Sequence, residues 1–135
     1  MLDASNYFRG LLLLIRKDRK VTQTEIELMK RIGKTLGFEK EFCDTAIRDI
    51  LENDYIADTP PDFSSKELAL KFVKDGLSLA FSDSEGHPSE EQWLQSTAEI
   101  NGLGVKLFSR DRENAAKRKT IPARLEADDL IVNHF

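Results

Sequence analysis

The chain has 135 residues, enough for one domain with its own core, and 40% of them are apolar against 33% charged, a normal soluble balance that makes no compositional case for disorder. Twenty basic residues against 24 acidic ones leave a net charge of −4, so no global attraction to nucleic acid or anionic lipid is expected. A single cysteine, Cys43, excludes an internal disulfide and any multi-cysteine metal site, and fits a reducing compartment.

Phe8, Leu11, Leu12 and Ile15 recur at the spacing of one helix face, and Leu13 and Leu14 make the first predicted helix apolar most of the way round. The run is flanked by Arg9, Arg16 and Lys17 and is too short to span a bilayer or to serve as a signal-peptide core, so a cytoplasmic chain is expected. After a polar loop at Lys17 to Lys20, Thr22 and Glu25 have the spacing of a capping box, and Val21 and Ile26 that of a hydrophobic staple. The second helix then buries Ile26, Met29, Ile32 and Leu36 and stops at Gly37. A third helix is predicted from about Glu39 to Asn53, with Phe42, Ala46, Ile47, Ile50 and Leu51 on its apolar side and Cys43 at the border. Pro60 and Pro61 break the chain there, because proline fixes its own backbone and disfavours helix in the residue before it.

The pattern then repeats. A fourth helix from about Ser65 to Ser82 carries Ala69, Phe72, Val73, Gly76, Leu77 and Ala80, and Gly10 aligns with Gly76 at an offset of 66. Ser89 and Gln92 have capping-box spacing, Pro88 and Trp93 stand at the staple positions, and Leu103-Gly104 aligns with Leu36-Gly37. A fifth helix burying Trp93, Leu94, Thr97, Ala98 and Leu103, and a sixth from about Val105 into Lys117-Arg118-Lys119, complete the second trio. The apolar end, Leu130, Ile131, Val132 and Phe135, is expected to dock on this chain or on a second copy. The expected fold is therefore all-α: one domain, residues 1–135, of duplicated three-helix units (about 5–53 and 65–119) in a compact bundle of six or seven helices, with a tail at 120–135. The two broadly apolar helices, the first and the fourth, should pair at its centre.

Candidate chemistry lies at the two acidic junctions. Asp18 and Glu25 flank the first, and Asp83, Glu85, Glu90 and Glu91 crowd the second, an oxygen-rich set suited to a hard divalent cation if the junctions adjoin. The other reading of the same residues is capping: Glu25 folds back on its own helix, and the acids near Ser89 complement a helix N-terminus. An EF-hand is excluded, because setting Gly86 as the turn glycine puts Phe81 at position one and Gln92 at position twelve. His87 and His134 have no partner at zinc-site spacing, and neither a nucleophile elbow nor a phosphate loop occurs. From Lys106 onward seven Lys or Arg stand against five Asp or Glu, but the Lys117-Arg118-Lys119 cluster lacks interleaved aromatics and reads as a solvated helix end.

The duplicated junction resembles the signature of the TerB-like tellurite-resistance family over about residues 5–108. That signature runs through an acidic residue, glycine, an apolar residue, Ser or Thr, and a carboxylate three places later. Asp18, Val21, Thr22 and Glu25 match it in the first copy, with Arg19 in place of glycine. Glu85, Gly86, Pro88 and Ser89 match it in the second, with Gln92 in place of the carboxylate and Glu91 one position earlier. The resemblance implies a bacterial, all-helical, non-enzymatic protein of stress and tellurite responses that binds a metal or docks a partner. The leading expectation is thus a cation-modulated binding module with Asp18, Glu25, Glu85 and Glu91 as ligands of a weakly held divalent cation. The alternative is a metal-free module for protein partners or self-association, working through the basic C-terminal part and the apolar tail.

Overall fold

The computed structural model describes residues 2–17, 21–53, 55–81, 88–118 and 125–129. Six α-helices run through them in chain order: α1 (Leu2–Arg16), α2 (Gln23–Thr35), α3 (Lys40–Glu52), α4 (Lys66–Ala80), α5 (Pro88–Ile100) and α6 (Val105–Arg118), followed by a single 3₁₀ turn, Glu126–Asp129. No strand occurs among the described residues. The architecture is the expected all-α bundle.

Each trio is built on its first helix. α1 packs on α2 and α3, α4 packs on α5 and α6, and α1 and α4 pair with each other at the centre. Their apolar breadth explains this, because a helix that is apolar most of the way round must be surrounded. Leu11, Leu12, Ile15, Phe72 and Leu77 are all buried. Close approach is set by Gly10, where a Cβ would lie 2.8 Å from the Phe72 ring. Phe72 in turn sits edge-on to Tyr7 at 5.4 Å and beside Phe63 and Trp93, joining both trios through one aromatic cluster.

The capping box of α2 is present in full. The Thr22 side chain accepts from the Glu25 backbone N–H, and Glu25 Oε1 accepts from the Thr22 N–H at 3.0 Å. Thr22→Ala should therefore cost about 1 kcal/mol in a denaturant melt. An unchanged midpoint would show that this cap adds nothing to the fold.

The second trio follows the first, but in a different register from that read in the sequence. α5 is described from Pro88 onward, so Ser89 lies inside the helix rather than at its N-cap, and the cap itself lies outside the described residues. The Ser89–Gln92 capping box and the Pro88–Trp93 staple are thus corrected. The residue of the second trio that corresponds to Glu25, at an offset of 65, is Glu90, which is buried. The helix stops agree with this shift. Phe38 N–H bonds to Gly33 O and Gly37 N–H to Lys34 O, while Leu103 N–H bonds to Ala98 O and Gly102 N–H to Glu99 O. Both are Schellman ends with a left-handed glycine, Gly37 (φ 91°) and Gly102 (φ 77°), so Gly102 and not Gly104 is the counterpart of Gly37.

α3 is rotated slightly from expectation. Cys43, Ile47 and Ile50 form its buried face, Ala46 and Leu51 flank it, and Phe42 is 43% exposed, stacked on Phe38 and Phe8 instead. The C-terminal end of α3 has no basic residue of its own, and Arg16 of α1 serves it. Its guanidinium donates to the carbonyls of Ile50, Asn53 and Ile56 and pairs with Asp58. Burial pushes the Asp58 carboxyl up, but the hydrogen bonds from Lys17 and Arg16 outweigh it and hold it below its ordinary value. The proline linker is fastened to the second trio by Asn101, whose amide donates to Pro61 O and Thr97 O and accepts from Phe63 N–H.

Candidate functional site

The two acidic junctions are built differently at atomic level. At the first, Glu25 is occupied as the closing member of the capping box, and its Oε1 also accepts from the Thr22 hydroxyl at 3.0 Å. At the second, Glu91 points across to α6 and forms an ion pair with Arg112 at 2.8 Å, whose guanidinium also lies over the Phe81 ring. Glu91 is the main reason that the Arg112 guanidinium is held above its ordinary pKa. Asp18 and Glu85, the other two candidate ligands, lie outside the described residues, as do Asp83, His87 and His134. Among the described residues no group of three or more His, Cys, Asp or Glu side chains is arranged to hold a metal ion. The junctions do converge in one respect. Lys17, at the end of α1, and Ser89 and Gln92, in the first turn of α5, line one open polar depression. Among the described residues that border it, Lys17 brings a positive charge and Glu99 a negative one.

A second cluster was not foreseen in the sequence. Asp75 lies on the core face of α4 and is 1% exposed. Its Oδ2 accepts from the Tyr7 hydroxyl at 2.6 Å and from Ala127 N–H at 2.9 Å, and its Oδ1 accepts from Glu126 N–H at 2.8 Å. One carboxylate therefore ties α1, α4 and the C-terminal turn together. Burial pushes the Asp75 carboxyl up to about 6, although the Tyr7 and backbone hydrogen bonds pull the other way. Burial first, then the neighbouring Asp75 charge, keeps the Tyr7 phenol well above its ordinary pKa and so protonated. A signal for Asp75 was present: Leu68, Phe72, Asp75 and Leu79 keep helical core spacing, and a carboxylate in that series demands donors.

The third feature is the α5–α6 turn. A cleft of about 150 Å³ between these helices is lined by residues that include Glu91, Ala98, Leu103, Val105, Phe108 and Arg112. It falls below the roughly 300 Å³ at which small-molecule pockets begin. Beside it, Ile100 and Val105 are 55% and 66% exposed, one on each side of the turn, and Lys106 is exposed next to them.

The docked turn bears on the expected C-terminal tail. Leu125 and Ala127 are buried and the turn Glu126–Asp129 packs against α4 and α2, whereas Leu130, Ile131, Val132 and Phe135 lie outside the described residues. No helix among the described residues is long and apolar enough to cross a membrane. Comparison with protein-family models, with curated proteins and with solved structures finds no match in any of the three.

Proposed function

We propose that the chain is a non-enzymatic helical binding module of the TerB-like kind that docks a protein partner through the α5–α6 edge, without a resident metal. The observation that carries this reading is the exposed pair Ile100 and Val105 beside Lys106, on a turn whose backbone is fixed by the Gly102 helix stop. Large apolar side chains next to a cation on a rigid edge suit a partner that is apolar at its centre and acidic at its rim. The two described candidate ligands already have partners within the fold: Glu25 caps α2, and Glu91, beside this edge, pairs α5 with α6. The resemblance supplies the biological setting, a bacterial stress response with tellurite as one instance.

A photoreactive residue at position 105, compared with one at the exposed α3 position 48, tests this in chelator-treated extract of the native cell. A discrete protein adduct from position 105 alone is expected. Equal labelling from both positions, or no adduct at either, would contradict docking at this edge.

The convergence of Lys17 with the first turn of α5 favours a second reading, in which the junctions approach closely enough for Asp18, Glu25, Glu85 and Glu91 to share a weakly bound divalent cation. Glu25 and Glu91 would then have to leave their present partners, which weighs against it.

A further inference from the structure

We propose that the C-terminal turn is a releasable strap, latched by Asp75, that opens from the gap between α2 and α4 while both helical trios remain folded. The turn packs against α4 and α2 and wedges between them. Among the described residues the strap is one 3₁₀ turn, with Leu125 and Ala127 as its buried apolar residues. Its other attachments among those residues are polar. Asp75 accepts from two successive backbone N–H groups, Arg31 pairs with Asp128 at 3.1 Å, and Lys74 faces Glu126 at 3.7 Å. Both ion pairs are partly exposed to solvent, so salt weakens them.

The turn also carries its own closing hydrogen bond, from Leu125 N–H to Asp128 Oδ2 at 2.8 Å, which lies within the turn and does not depend on α4. Meanwhile α4 retains α1, α5 and α6 as neighbours. The latch residue makes the two states comparable. With the strap closed, the Asp75 carboxylate is satisfied by Tyr7 and two amides. With it open, Tyr7 still donates while water replaces the amides, and Glu126 and Ala127 are hydrated in turn. No buried group is stranded either way, which is the condition for a local opening below the global one. An apolar residue at position 75 could pack the core, but it would give the strap's N–H groups no acceptor.

Native-state hydrogen exchange on the full chain reads this directly. Glu126 and Ala127 amides should be protected relative to an unstructured peptide, yet at least roughly 100-fold less than the amides of Leu11 and Leu77 in the central pair. Added salt should reduce strap protection, and Asp75→Asn should do the same, with the central amides remaining the better protected in each case. If that variant does not fold, the wild-type ratio and its salt response still decide. Strap amides that exchange at the rate of Leu11 and Leu77 would overturn the proposal, as would strap amides with no protection at all.

Discussion

Phe72→Ala is expected to destabilise the protein by about 3–5 kcal/mol, the range for removing a buried aromatic ring. Phe72 is fully buried, contacts Tyr7, Phe63 and Trp93, and covers the bare backbone at Gly10. Truncation leaves a cavity between α1 and α4 that the rigid helices can close only in part. A denaturant melt measures the loss. A change below about 1 kcal/mol would mean that the central pair is not what holds the trios together.

Asp75→Ala is expected to cost about 2–3 kcal/mol, less than the sum for three stranded donors, because the strap can leave and hydrate its two amides. The Tyr7 hydroxyl is the donor left behind. The pH dependence has a definite sign. With its folded-state pKa raised to about 6, Asp75 takes up a proton more readily in the native protein than in the unfolded chain. Its contribution to stability is therefore fully present below the ordinary aspartate range and is lost as pH rises through about 6. Asp58, whose carboxyl is held low, changes stability in the opposite direction, so the wild type must be compared with Asp75→Asn. The stability of wild type relative to that variant should fall between pH 4 and pH 7. A difference that stays constant or grows with pH would contradict the burial-dominated environment described for Asp75.

The helices could be read from the sequence because each bears a local signature. Apolar spacing marks α1 and α4, the Thr22–Glu25 box starts α2, and Pro60-Pro61 separates the halves. Register was harder. Ser89 and Gln92 imitate a capping box one step into α5, and Gly102 and Gly104 compete for the role of Gly37. Only the backbone conformation chooses between them, with Gly102 at positive φ and Leu103 bonded back to Ala98. The face of α3 shifted for a tertiary reason: Cys43 is small enough to lie over Gly33, where a Cβ would be 2.4 Å from its sulfur, while Phe42 finds its contacts on the aromatic rings of Phe38 and Phe8. Of the candidate site, the carboxylates were visible but their partners were not. Glu91 meets Arg112 from another helix, and Asp75 meets Tyr7 and a turn near the C-terminus, long-range pairings that no local spacing encodes.

Glu25 and Glu91 serve the fold, and the proposed partner docking needs no cation. Thermal melts of the chelator-treated protein across a series of free Mg²⁺, Ca²⁺, Mn²⁺ and Zn²⁺ concentrations test this, since any ion that binds the folded state alone must raise the melting temperature. The melting temperature is expected to stay unchanged with all four. A rise that saturates with free cation, and disappears in the Asp18→Asn, Glu25→Gln, Glu85→Gln, Glu91→Gln variant, would contradict it and place the cation-modulated reading first.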